Sequence, residues 1–145
     1  MSLKNLTLTS LSWIGILTGI CWGIFNLGVN FLFWPQEMEG TFLSLFFSFI
    51  SAGALFSVFI LFLALWTGHS LDEHPYFTAV RVSLLVWFVY VALGGVMSWF
   101  NPERYHFNLN ETMIGGIKVL LLGIMLGWSV RNLTKKTDID KKPGQ

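Results

Sequence analysis

Formal charge is scarce in this sequence of 145 residues, of which only 12% are Asp, Glu, Lys or Arg. A soluble domain usually keeps about a quarter of its residues charged, so this share is too low to cover a globular surface with polar groups. Apolar residues make up 54% of the chain and aromatic residues 17%, including 14 Phe and seven Trp. This balance excludes a disordered chain and indicates a small polytopic membrane protein.

Cysteine and net charge are also low, with a single cysteine, Cys21, and a formal net charge of +1. One cysteine excludes a secreted disulfide scaffold and a dithiol redox relay. A net charge so close to zero is unlike that of a nucleic-acid binder. We therefore expect no nucleic-acid partner.

The long apolar stretches lack the groups that most membrane chemistry requires. They contain no Asp or Glu, so proton-coupled exchange through a membrane carboxylate lacks its central group. They contain no mid-helix His, which excludes bis-histidine haem ligation, and no nucleophile–base pair is apparent. For His69, Asp72 and His74, which share a short connection, a solvated loop is favoured over a metal site. We predict no enzymatic activity, no cofactor and no metal.

Four apolar stretches are each long enough to cross a bilayer, which takes about 20 residues as a helix. They cover residues 11–34, 41–66, 76–100 and 112–130. Continuous apolar runs predict helices, because barrel strands alternate polar and apolar positions. The predicted fold class is all-α, a polytopic four-transmembrane-helix bundle at residues 1–131. A basic, disordered tail is predicted at residues 132–145.

The basic residues fall mostly on one side of the predicted bundle. Seven of the nine would share a side with both chain termini, and the opposite connections hold only Arg104. The positive-inside rule therefore makes both termini cytoplasmic. We expect an integral protein of a bacterial inner (plasma) membrane. The seven residues are Lys4, Arg81, Arg131, Lys135, Lys136, Lys141 and Lys142.

The end of the last span and the tail carry a cluster of basic residues. Near a membrane surface each attracts anionic lipid by roughly 1 kcal/mol. The alternative is that they contact a cytosolic partner protein. The candidates for these contacts are Arg131, Lys135, Lys136, Lys141 and Lys142.

Glycine recurs at helical spacing in the first and last predicted spans. Such small residues let helix backbones approach closely within lipid, where packing drives association. Their partner is either another helix of the same chain or a second copy, which would give a homo-oligomer. The first face holds two overlapping GxxxG units, and the two faces together comprise Gly15, Gly19, Gly23, Gly116, Gly123 and Gly127.

The second span carries a seam of mostly apolar residues that are alternately four and three positions apart. They are Phe42, Phe46, Phe49, Gly53, Phe56, Ile60 and Leu63. The spacing is typical of a helix that packs against a neighbour. A Phe-lined pore or a lipid-binding groove is the alternative interpretation.

Lys118 is the one charge that the sequence places deep within a span. A lysine at mid-helix costs about 2.5–3.5 kcal/mol on insertion scales, so it usually faces protein or water. Helical rise places it roughly 5 Å outward of the bilayer midplane. Either it joins one polar layer in the outer half of the bundle, or its side chain extends outward along its stem toward Glu111. The other candidates for the layer are Asn26, Asn30, Ser48, Ser51 and Tyr90.

Two functions remain open from the sequence. The leading hypothesis is a non-enzymatic membrane subunit that oligomerises through its glycine faces. It would serve as a sensor, anchor or scaffold for a partner protein, for instance in a bacterial defence or signalling system. The alternative is a small oligomeric ion channel or transporter that uses the polar layer around Lys118. A membrane enzyme with a lipid substrate is least favoured, because no catalytic group is apparent.

Overall fold

The computed structural model describes residues 8–33, 35, 40–67, 70–101 and 108–140, and within these ranges every regular element is a helix. The long helices are α1 (Leu8–Phe33), α2 (Phe42–Trp66), α4 (Pro75–Phe100) and α5 (Leu109–Asp140), while α3 (Ser70–Glu73) is a single turn. Each long helix contains at least 24 residues that are apolar enough to cross a membrane. The predicted all-α class and four-helix membrane bundle are confirmed, and the chain is an integral membrane protein.

Capping residues and turn residues determine where α2 and α4 begin. Thr41 precedes α2, and its Oγ1 accepts a hydrogen bond from the amide of Ser44 at 3.3 Å. This bond satisfies one of the amides that a helix leaves free in its first turn. Gly40 has a φ of +122°, a conformation that glycine adopts readily and other residues rarely. Pro75 lies in the first turn of α4, where its missing N–H is not needed.

The α5 helix begins one turn before the predicted span, because Asn108 caps it. Asn108 Oδ1 accepts a hydrogen bond from the amide of Asn110 at 3.0 Å, and Asn108 Nδ2 donates to Glu111 at 2.6 Å. Glu111 therefore belongs to the first turn of the helix and not to the preceding connection. Its carboxylate is favoured there by the positive end of the helix dipole.

The α5 helix also continues beyond the predicted span at its other end. Its backbone is helical to Asp140, whereas the sequence predicts a disordered tail from residue 132. Between Gly127 and Pro143 the sequence contains neither Gly nor Pro, the two residues that most strongly disfavour a helix interior. The sequence thus contains no helix-breaking residue between Gly127 and the end of α5.

The glycines pack the long helices into two antiparallel pairs, α1 with α2 and α4 with α5. A Cβ on Gly19 would collide with the backbone of Gly53 and Ala54, and one on Gly123 would lie 2.7 Å from Val80 Cα. All six predicted packing glycines contact a helix of the same chain in this way. Their main contacts are Gly15 with Val58, Gly19 with Gly53, Gly23 with Phe49, Gly116 with Trp87, Gly123 with Val80, and Gly127 with Tyr76. Both faces are thus occupied within one chain, and a homo-oligomer would use other surfaces.

The two helix pairs join in one half of the bundle, which we call the packed half. It contains the beginning of α1, the end of α2, α3, the beginning of α4 and the later part of α5. Ile60, Leu122 and Leu126 are fully buried at its centre. The hydroxyls of Thr18 and Ser129 are hydrogen-bonded at 3.0 Å and connect α1 to α5.

The other half, which we call the open half, contains the end of α1, the start of α2, the end of α4 and the start of α5. Here the side chains at the start of α2 and the end of α4 are largely exposed, including Phe42, Tyr90 and Trp99. The pairs therefore separate toward this end of the bundle. The space between them contains the candidate functional site.

Candidate functional site

A cavity of about 900 Å³ lies between the two helix pairs in the open half, and all four long helices contribute to its wall. Its size is in the upper part of the range for small-molecule sites, about 300–1,000 Å³. Five of the six residues predicted for the polar layer line this one cavity. They are Asn26, Asn30, Ser48, Tyr90 and Lys118.

Lys118 contacts α1 through both its side chain and its main chain. Its Nζ donates a hydrogen bond to Asn30 Oδ1 at 2.6 Å. Its carbonyl oxygen accepts a hydrogen bond from Trp22 Nε1 at 2.8 Å. The ammonium group therefore lies among the predicted polar residues, in the wall of the cavity.

Asn26 lies one helical turn from both Trp22 and Asn30, on the same face of α1. Its Oδ1 is buried and accepts no hydrogen bond from any residue that the structure describes. Leaving such an atom unsatisfied costs about 1–3 kcal/mol. The oxygen is thus a buried acceptor that no described donor satisfies.

Ser51 is the one predicted polar-layer residue that does not line the cavity. Its side chain is exposed, and its Oγ donates to the carbonyl oxygen of Phe47 at 2.6 Å, within its own helix. Ser48 lies three positions earlier, which is about 60° short of a full helical turn. That difference in direction puts Ser48 in the wall and Ser51 outside it.

Two tryptophans were missed as site residues by the sequence analysis. Trp22 and Trp87 both line the cavity. The other five tryptophans fall near the ends of predicted spans, where indole rings anchor at the headgroups. Trp22 and Trp87 lie well inside their spans, where an indole N–H lacks water and needs a protein partner. Their position along the span was the feature that would have identified them.

The charged residues of the lining, Lys118 and Glu111, lie on the same face of α5. They are seven residues apart, which is two turns or about 10 Å along the helix. Glu111 is exposed and lies toward the end of the open half, whereas Lys118 is partly buried. The cavity therefore has a negative group near its outer end and a positive group further inside.

Arg131, the member of the predicted basic cluster whose side chain is described, does not line this cavity. The guanidinium of Arg131 lies 5.7 Å from the centre of the Tyr76 ring, in a cation–π contact in the packed half. Lys135 and Lys136 are in the last turns of α5, where only the backbone is described, and Lys141 and Lys142 lie outside the described residues.

The loop residues considered for a metal site are only partly within the described ranges. His69 lies outside them, and for Asp72 only the backbone is described. Among the residues described, no group of three or more His, Cys, Asp or Glu side chains is arranged to bind a metal ion.

No protein-family model, no curated protein and no solved structure matches this chain. Its fold defines it as an integral membrane protein with four long helices. The cavity around Lys118 is the feature from which a function can be inferred.

Proposed function

We propose that the protein is a non-enzymatic sensor subunit of a bacterial inner membrane that binds a ligand in the cavity around Lys118. The contact between Lys118 Nζ and Asn30 Oδ1, at 2.6 Å in the cavity wall, carries this proposal. Charged and amide groups are costly within a bilayer and usually mark a functional site there. Here they line a cavity of ligand size, which favours binding as their role.

The packed half favours a binding site over a pore through a single chain. Ile60, Leu122 and Leu126 are fully buried and fill the interior beyond the cavity. Ion conduction requires a continuous path through the protein. A ligand that enters from the open half instead reaches a closed core.

A carrier is the second candidate function, and the closed core beyond the cavity favours it as well. A cavity that opens in one half and is closed in the other is the arrangement expected for one state of alternating access. Movement of the bound ligand into sealed liposomes distinguishes a carrier from a sensor, since a sensor binds the ligand without transporting it.

The course of α5 supports a sensor that also contacts a cytosolic partner. One uninterrupted helix carries Glu111 and Lys118 at the cavity and continues to Asp140. We place the partner or anionic lipid at its basic end, beyond Arg131. The glycine faces take no part in this proposal, because both pack against helices of the same chain.

Native mass spectrometry of the detergent-purified chain tests ligand binding. We expect the wild-type protein to retain small molecules from the host membrane and Lys118→Met to lose them, because this change removes the charge and preserves most of the side-chain length. Arg81→Met is the matched control, since Arg81 is an exposed cation outside the cavity lining. Identical bound molecules in the wild type and in a folded Lys118→Met variant would refute the proposal.

A further inference from the structure

We infer that the ligand is an anionic amphiphile, with a carboxylate or phosphate group and an acyl chain, that enters the cavity sideways from the bilayer between α2 and α4. This inference rests on the proposed function and names the chemical class of ligand for the same cavity. Three properties of the cavity support it: the direction of its opening, the composition of its wall and the placement of its charges.

The cavity has a closed side and an open side. The closed side is formed by α1 and α5, where Trp22 is 8% exposed and Val119 is 7% exposed. The open side is formed by α2 and α4, where Tyr90 is 76% exposed and Ala52 is also exposed. A Cβ on Gly94, which lines the same side, would have no neighbour within 4 Å. Because α2 and α4 are membrane-spanning, the opening between them faces the acyl chains of the bilayer.

The wall of the cavity combines aromatic and polar surfaces, as an amphiphile requires. Phe49 and Phe56 of α2 and Trp87 of α4 provide apolar surface. Lys118 and Asn30 provide the hydrogen-bonded polar group on the closed side. A ligand that enters between α2 and α4 can thus bring its polar group to Lys118 while its chain contacts the aromatic rings and the lipid outside.

The charges favour an anion that arrives through the bilayer. Lys118 attracts a carboxylate or phosphate, and the low polarity of the surroundings strengthens that attraction. Glu111 lies about 10 Å away toward the outer end of α5, so an anion that approached from water would pass a group of like charge. A membrane-dissolved anion that enters from the side avoids this repulsion.

Quenching of tryptophan fluorescence by a brominated fatty acid tests the inference, because Trp22 and Trp87 line the cavity. The full chain is reconstituted in phosphatidylcholine vesicles that contain increasing mole fractions of 9,10-dibromostearate or of its methyl ester. The pH is set so that the acid is ionised. We expect a saturable quenching component with the acid and only gradual, non-saturable quenching with the uncharged ester.

Variants assign this component to the cavity. Lys118→Met should weaken the apparent affinity for dibromostearate about tenfold or more, as expected for loss of a charge-assisted contact. Lys118→Arg and the control Arg81→Met should keep the affinity. Trp87→Phe should reduce the amplitude of the saturable component, because it removes one of the two tryptophans in the cavity wall.

The outcomes separate failure of this inference from failure of the proposed function. Equal quenching by the acid and the ester in the wild type overturns the inference. The inference is also overturned if acetate or inorganic phosphate stabilises the protein against heat only when Lys118 is present, while dibromostearate has no saturable effect. In that second case the anion comes from water, and the proposed ligand-binding function stands. If native mass spectrometry also finds the same bound molecules with and without Lys118, both proposals fail.

Discussion

Trp22, Asn26 and Asn30 recur every four residues along α1 and bring three different polar groups to the cavity wall. The indole N–H of Trp22 and the amide oxygen of Asn30 both bond to Lys118, and the buried oxygen of Asn26 accepts no bond from the described residues. Hydrogen bonds between helices in lipid contribute about 0.6 kcal/mol on average. These groups therefore stabilise the contact between α1 and α5 only modestly.

Replacing Trp22 with Phe tests the stabilising part of this contact at the scale of one residue. The change removes the donor to the Lys118 carbonyl and leaves most of the aromatic ring. We expect the free energy of unfolding to fall by about 1 kcal/mol, from the lost hydrogen bond and the smaller ring together. Denaturation of the detergent-purified protein, followed by circular dichroism, measures this change.

Trp13→Phe is the control for that measurement, because Trp13 lies on the same helix and is 60% exposed. Its replacement should change the free energy of unfolding by less than about 0.5 kcal/mol. Equal losses in the two variants would show that the Trp22 hydrogen bond adds nothing to stability.

At the scale of helices, the glycine faces determine which helix pairs with which. The backbones of α1 and α2 come so close at Gly19 that any side chain there meets main-chain atoms of Gly53 and Ala54. A flexible neighbour can move aside, but a helix backbone cannot do so without displacing the whole helix. The spacing of the glycines predicted a close contact. It did not predict the partner, because a second copy of the chain would offer the same chemistry.

Gly19→Val should therefore separate α1 from α2 and lower the free energy of unfolding by at least about 2 kcal/mol. Gly28→Val provides the matched control on the same helix, because a Cβ at Gly28 has no neighbour within 4 Å. We expect the control to change stability by less than about 0.5 kcal/mol. Chemical denaturation of both variants gives the comparison, and a similar loss in both would contradict the packing role of Gly19.

The limits of prediction from the sequence follow from the same elements. The four helices were predictable because bilayer thickness fixes the length of a span. Depth can be counted along a helix, which is how the sequence places Asn26 and Lys118 at nearly one level. Depth does not give direction around the axis, so the sequence left Ser48 and Ser51 as alternatives. The α5 helix extends past both ends of the predicted span, because the Asn108 cap adds a turn and no breaking residue occurs between Gly127 and Asp140.

At the scale of the whole molecule, orientation decides which compartment the open half faces. The distribution of basic residues predicts that the ends of α1 and α4 lie outside and that the end of α5 lies in the cytoplasm. Asn101 and Asn132 are exposed residues at opposite ends of the bundle. They are therefore suitable positions for labelling from one side of the membrane.

Cysteine labelling in a Cys21→Ser background checks this orientation, since Cys21 is the one native cysteine and is exposed. A membrane-impermeant maleimide should label Asn101→Cys in intact cells. It should label Asn132→Cys only after the cells are permeabilised. The reverse pattern would place the open half toward the cytoplasm and would contradict the predicted topology.

The length of α5 has a mechanical consequence. The helix has 32 residues and is about 48 Å long, with Lys118 on one side of the buried Leu126 and Asp140 on the other. Asp140 is 14 residues from Leu126, whereas Lys118 is only eight residues from it on the other side. A rigid tilt of α5 by about 10° about the core at Leu126 would move Lys118 by about 2 Å and Asp140 by about 4 Å in the opposite direction. A small displacement at Lys118 would thus be about doubled at the far end of the helix.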